Sequence, residues 1–192
     1  MPIKTPLEYV ESLRALKVNA YYGAEKLESP VDHPAIAPHV NTVAKIYELA
    51  QDPQHKGLIT AESHLTGREI NRWTHIFMST EDLVRKIRMM RLMGQTTGTC
   101  FQRCVGLDAM NASYAISYEI DEAKGTDYHQ RFKDYLIYIQ DNDLMVAGAM
   151  TDPKGNRAKS PSQQDDPDQF VRVVERRPDG VVIRGAKLHN TG

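Results

Sequence analysis

The chain has 192 residues, 41% hydrophobic and 26% charged, which excludes a disordered polymer and fits one domain or one and a half. Its 24 basic and 25 acidic side chains leave a net charge of -1, which excludes recruitment of nucleic acid or an anionic membrane by a global field. No apolar run approaches a transmembrane span, and Met1-Pro-Ile-Lys-Thr-Pro-Leu-Glu8 lacks the apolar centre of a signal peptide.

Thr5 and Pro6 open a first helix, Thr5 as its cap and Pro6 at its first position. Leu7, Tyr9, Val10, Leu13 and Leu16 then recur at helical spacing. Tyr21 to His39, broken by Pro30, Pro34 and Pro38, reads as irregular connection. A second helix is predicted from about Pro38 to Ala50, with Val40, Val43, Ile46, Tyr47 and Leu49 on its core face and Asp52-Pro53 ending it. Gln54 to Trp73 carries no decisive period.

Ser79, with Asp82 three residues on, caps a helix whose apolar stripe is Leu83, Ile87 and Met90. Gly94 marks its stop or a close packing point. A long helix follows from near Cys100 to Glu122 and ends at Lys124-Gly125. Thr126 or Asp127 caps another, in which Tyr128, Phe132, Tyr135, Leu136 and Ile139 repeat at the helical period. After Asp143 the pattern changes. Leu144 to Met150 is an apolar run of strand length, Ser160 to Asp168 a polar loop, and Phe170 to Arg176 a strand returned through Pro178-Asp179-Gly180 to Val181–Lys187. The fold class is α+β, with a mainly helical domain over residues 1–143 and the opening of an antiparallel β domain over 144–192.

Cys100 and Cys104 are the chain's only cysteines. On a helix their spacing stacks both sulfurs on one face, where they can grip one metal centre without completing it. From spacing alone two reduced cysteines packed as small hydrophobes are the simpler use. Either use suits a reducing, cytoplasmic compartment. The stretch Thr151-Asp-Pro-Lys-Gly-Asn-Arg157 brings a hydroxyl, two cations and a glycine to one loop, which suits a phosphate or the polar edge of a cofactor; a plain Asp-Pro turn is the simpler use. Arg85, Lys86, Arg88 and Arg91 crowd one helix, either as an anion-binding row or as a solvated face. Of the seven histidines only His189, beside the hairpin's end, draws attention, and no Ser–His–Asp set can be proposed from spacing.

Thr99–Ala109, Ala149–Arg157 and Ile183–Gly192, with Glu48–Gln54 and Ser160–Gln164, together resemble the 4-hydroxybutyryl-CoA dehydratase family, and the resemblance runs from the N-terminus to residue 192. It extends more weakly to flavin-dependent 4-hydroxyphenylacetate 3-monooxygenases, which lack the cysteine pair. The resemblance implies an acyl-CoA-dehydrogenase-like architecture, of which this chain is the helical N-terminal domain and the start of the middle β domain, in a cytoplasmic homotetramer that needs neither nucleic acid nor membrane. It implies FAD and a [4Fe–4S] cluster as cofactors, with Cys100 and Cys104 as two metal ligands and the others beyond Gly192. Met150, Thr151, Asp152, Pro153, Lys154, Gly155, Asn156 and Arg157 match a flavin-contacting loop. His189, Asn190 and Thr191 match a second contact segment near flavin and substrate, and Arg91 and Gln102 match positions at the substrate cavity.

The implied reaction is a lyase step, radical dehydration of 4-hydroxybutyryl-CoA to crotonyl-CoA, with vinylacetyl-CoA isomerisation as companion. Two other expectations stand beside it. One is an FAD-dependent aromatic hydroxylase in which the cysteines are incidental. The other is that the isolated chain, short of half the cluster ligands, is an inactive module that binds neither cofactor stoichiometrically.

Overall fold

In the computed structural model, which describes residues 3–98, 103–146 and 148–188 (without the side chains of 103–105), local chemistry starts two of the helices as the sequence suggests, at Thr5 and at Ser79. Helix α1 spans Pro6–Arg14; Thr5 Oγ1 accepts from Glu8 N while the Glu8 carboxylate accepts from Thr5 N at 2.7 Å. A two-residue hairpin, β1 Tyr21–Tyr22 with β2 Glu25–Lys26, and a 3-10 turn at Pro30–Asp32 interrupt the irregular connection. Helix α2, Ala37–Gln51, buries Val40, Val43, Ile46, Tyr47 and Leu49, the face its periodicity marks. The ambiguous stretch resolves into a single-turn helix α3, Lys56–Ile59, an antiparallel pair β3 Thr60–Glu62 and β4 Glu69–Asn71, and a buried 3-10 turn, Arg72–Thr74.

Helix α4 runs Thr80–Thr97, with Ser79 Oγ accepting from Asp82 N and the Asp82 carboxylate accepting from Met78 N at 3.0 Å. Its buried residues are Met89 and Met93, whereas Leu83 and Ile87 are 48% and 64% exposed, so the core face lies to one side of the stripe predicted from sequence. The helix passes through Gly94 and stops at Gly98, whose φ of 67° only glycine adopts at little cost. Helix α5 is Arg103–Lys124 and α6 is Tyr128–Asp141. The Asp127 side chain makes no capping bond. Instead the Asp121 carboxylate of α5 accepts from Tyr128 N and His129 N at 2.9 and 2.8 Å, so the preceding helix caps the next. Leu7, Leu16, Tyr128 and Tyr135, placed on core faces by periodicity, are exposed.

These elements enclose one apolar core, built on Ile46, Tyr47, Ile59, Trp73, Met89, Met93, Leu107, Leu136 and Ile139. Tyr47 stacks on Tyr9 at 4.7 Å between centroids and takes the edge of Trp73 at 5.3 Å. The apolar run predicted as a strand from Leu144 to Met150 forms no ladder in its described residues. Leu144, Met145 and Val146 lie against the helical core instead, and the Val146 carbonyl approaches α5 so closely that a Cβ at Gly106 would strike it. Burial against a helix satisfies an apolar run as well as a sheet does, and periodicity cannot separate the two.

The chain divides into two compact units, Met1–Val146 and Ala147–Gly192. The second holds a 3-10 turn, Pro161–Gln163, and an antiparallel hairpin of β5 Arg172–Arg177 with β6 Gly180–Arg184, registered Arg177↔Gly180 and bulged between Val173 and Glu175. Val173, Val174, Val181 and Ile183 of this hairpin are exposed. Helices plus small antiparallel pairs make this an α+β chain, as expected. Among the described residues no helix is long and apolar enough to cross a membrane.

Candidate functional site

The loop Met150–Arg157 is built by two glutamines that follow it in sequence. Gln164 reaches back to Asn156, accepting from Asn156 N through Oε1 at 2.8 Å and donating from Nε2 to Asn156 O at 3.0 Å. The same Nε2 stands within bonding distance of Lys159 O and Ser160 O, at 3.1 and 3.2 Å. Gln169 Nε2 donates to Lys154 O at 2.6 Å. Asn156 Oδ1 accepts from Ala158 N at 3.0 Å, which turns the chain out of the loop.

The other end of this unit closes on the loop. Thr151 and Leu188 form an antiparallel bridge, Leu188 N donating to Thr151 O at 2.8 Å. Lys187 Nζ donates to Asp152 Oδ1 at 2.6 Å and to Met150 O at 3.2 Å. The segment leading into His189 is therefore fastened beside Thr151 and Asp152; His189, Asn190 and Thr191 themselves lie outside the described residues.

A cleft of about 300 Å³ opens here, lined by Asp152, Pro153, Lys154, Gly155, Asn156, Arg157, Lys159, Pro161, Gln164 and Phe170. Its charge favours an anion. Lys187 neutralises Asp152, while Lys154 and Arg157 have no ion-pair partner among the described residues. The backbone N–H groups of Lys154, Gly155 and Arg157 likewise meet no protein acceptor among the described residues. Free cations and free amides on a proline- and glycine-shaped loop fit a ligand with phosphates and a polar aromatic edge, which is how the chemistry of this donor set suits FAD.

The remaining sequence candidates fall elsewhere. Arg91 is exposed on α4, in the helical unit. Cys100 and Gln102 lie outside the described residues, and Cys104 is in α5 with its side chain undescribed. Among the described residues no three His, Cys, Asp or Glu side chains are grouped to hold a metal.

A larger cleft, about 420 Å³, lies within the helical unit among Thr60, Glu62, Glu69, Arg72, His75, Asp82 and Arg85, of which the sequence marked only Asp82, in a helix cap, and Arg85, in a cationic row. Its chemistry is structural. Buried Arg72 donates to Leu58 O at 2.7 Å and to Thr60 O at 2.5 Å, holding α3 and β3 in place. Burial lowers the pKa of Arg72 and of His75 below their ordinary values. His75 Nε2 stands 3.2 Å from Asp82 Oδ1 without hydrogen-bond alignment. Burial alone would raise Asp82, but the Met78 amide and Ser79 hydroxyl outweigh it and hold the carboxyl low.

Comparison with known proteins agrees with this architecture. Residues 5–192 match the family described as 4-hydroxyphenylacetate 3-hydroxylase N terminal. The chain is 56% identical over 190 residues to a 4-hydroxybutyryl-CoA dehydratase/vinylacetyl-CoA-Delta-isomerase of Clostridium aminobutyricum, covering 99% of this chain and 39% of that protein. It is 32% identical to a 4-hydroxyphenylacetate 3-monooxygenase oxygenase component of Thermus thermophilus, covering 98% of this chain and 38% of the relative. Among solved structures it superposes on an oxygen-tolerant archaeal 4-hydroxybutyryl-CoA dehydratase from N. maritimus with a TM-score of 0.90 and 49% identity, over 98% of this chain and 37% of that one. A 4-hydroxyphenylacetate 3-monooxygenase oxygenase component complexed with FAD and 4-hydroxyphenylacetate gives 0.77 and 31%, over 96% and 38%. The chain thus spans well under half the length of the relatives it matches.

Sequence reasoning named the loop but missed what holds it. Gln164 and Gln169 are polar residues in a polar stretch, and Lys187 a lysine at a strand end; only their partners distinguish them.

Proposed function

This chain belongs to the 4-hydroxyphenylacetate 3-hydroxylase N-terminal family, and on that premise we propose that it is the N-terminal part of a flavin-dependent 4-hydroxybutyryl-CoA dehydratase with vinylacetyl-CoA isomerase activity. What carries the choice within the family is the 56% identity to a dehydratase against 32% to a monooxygenase oxygenase component, each across nearly the whole chain. The enzyme is a cytoplasmic homotetramer acting on an acyl-CoA, with no nucleic-acid or membrane partner.

Met150–Arg157 and the His189–Thr191 segment hold FAD. Lys154 and Arg157 offset its phosphate charge, the loop amides bind its polar edge, and Lys187 keeps the Asp152 carboxylate from repelling it. Bound FAD supplies the electron transfer that makes loss of an unactivated β-proton feasible. Arg91, Gln102 and Thr191 orient the acyl-CoA. Cys100 and Cys104 are two ligands of a [4Fe–4S] cluster, a role that rests on the sequence resemblance.

The test is the full-length protein purified without oxygen. It is expected to carry both flavin and iron and to form crotonyl-CoA from 4-hydroxybutyryl-CoA. The competing reading is an FAD-dependent aromatic hydroxylase, favoured by the superposition on an FAD-bound oxygenase component. A flavoprotein without iron, whose Cys100→Ser variant hydroxylates a phenol as well as the parent does, would establish that reading and overturn the first.

A further inference from the structure

We propose that Gln164 is a positioning residue for the flavin: its side-chain amide sets the backbone of the Met150–Arg157 loop from inside, so that Lys154, Gly155 and Arg157 face the ligand already oriented. The inference deepens the flavin reading of that loop and rests on it.

The geometry is that of a strand partner supplied by a side chain. A backbone residue pairs in an antiparallel ladder by exchanging one N–H and one C=O with its opposite number. Gln164 does the same to Asn156 with one amide, accepting at 2.8 Å and donating at 3.0 Å. Its Nε2 also faces the carbonyls of Lys159 and Ser160, so the start and finish of the turn converge on one group. No backbone strand runs beside Asn156 to do this, since the unit's described ladder is the β5–β6 hairpin and the Thr151–Leu188 bridge.

Gly155 completes the arrangement. A Cβ there would stand 2.6 Å from Gln164 Oε1 and 2.9 Å from Gln169 Nε2. The missing side chain therefore leaves room for both amides against the loop, with Gln164 also lining the cleft beside it. The neighbouring Gln163 is used differently: its Oε1 accepts from Ser160 N at 3.3 Å, inside its own turn, and it makes no bond to the loop. Two adjacent glutamines thus have opposite expected weights.

The experiment measures FAD dissociation constants, flavin absorption and melting temperature of the holoenzyme and of Gln164→Ala, Gln164→Met, Gln164→Glu and Gln163→Ala. Losing the paired bonds should weaken FAD binding about tenfold in Gln164→Ala and shift the flavin absorption band, with Gln163→Ala unchanged. In Gln164→Glu the acceptor facing Asn156 N survives and the donors are lost, but protonation restores one donor. FAD affinity of this variant should therefore recover as pH falls through the carboxyl range, partly because a carboxylate lining the cleft also repels phosphate, whereas neutral Gln164→Met, which fills similar space without the paired bonds, should bind weakly at every pH. If Gln164→Ala does not fold, the uncharged Gln164→Met variant decides. Wild-type affinity in Gln164→Ala or Gln164→Met, or a flat profile in Gln164→Glu, overturns the positioning role and leaves the flavin reading standing. A wild-type protein that binds no FAD overturns both.

Discussion

Asp143 and Asn71 face one another inside the helical unit, with Asn71 Nδ2 donating to Asp143 Oδ1 at 2.6 Å. Lys4 N donates to the other carboxylate oxygen at 2.8 Å, and Tyr47 Oη donates to the Asp143 carbonyl at 3.0 Å. One residue thereby ties the segment before α1, α2, the end of α6 and β4. Burial pushes its carboxyl up, and the Lys4 amide and Asn71 pull it back part of the way. Asp143 also sits at φ 44°, a left-handed conformation that Asp and Asn tolerate better than other side chains. Asp143→Ala should lose about 3 kcal/mol, since it strands one buried and one part-buried donor and keeps the strained backbone. Asp143→Asn, with one acceptor retained and the conformation still tolerated, should lose roughly half as much. Denaturant unfolding of both variants checks the order; equal losses would mean the carboxylate is not the group that matters.

Gly106 should be intolerant of the smallest addition. Alanine ordinarily stabilises a helix interior over glycine by about 1 kcal/mol. Here a Cβ would run into the Val146 carbonyl, and that segment carries Leu144 and Met145 onto the core. Gly106→Ala is expected to cost roughly 2 kcal/mol net, with the 144–146 segment displaced. Gly57→Ala in α3, where nothing lies within 4 Å, is the control and should be neutral or slightly stabilising. Melting temperatures of the pair test the contrast.

Acid should weaken the helical unit through two imidazoles, chiefly buried His75 and to a lesser degree exposed His64. Burial lowers His75, and partial desolvation lowers His64, below the ordinary 6.5, so the folded chain binds fewer protons than the unfolded one below that pH. Their contribution is fully present above pH 6.5 and is lost as pH falls through the window beneath it. The groups facing His75 are Asp82, which draws it back up, and Arg72 and His64, which press it further down. His75→Gln removes one of the two titrations, so its melting temperature should fall less steeply between pH 7 and pH 5 than that of wild type. Parallel curves would assign the acid response elsewhere. Asp143, raised by burial, acts in the opposite sense in both proteins and cancels in the comparison.

What the sequence determined by itself was the chemistry that closes within a few residues. Thr5 with Glu8, Ser79 with Asp82, and the turn through Asp179 and Gly180 each find their partners inside one turn of chain, so spacing suffices to read them. The α2 face was legible for the same reason, because its apolar residues repeat without competition. The loop Met150–Arg157 was legible as composition, a place where cations and glycine meet.

Tertiary structure alone decided the rest. Leu144–Val146 had an apolar run compatible with a strand or with burial on a helix, and the notch at Gly106 selected the second. On α4, Leu83 and Ile87 were as good a stripe as Met89 and Met93 until α2 and α5 were in place to bury one of them. Asp121 caps a helix it does not belong to, and Gln164 shapes a loop that precedes it by eight residues. In each case the deciding energy is a contact whose second member is brought near by folding, and a side chain carries no mark of a partner it has yet to meet.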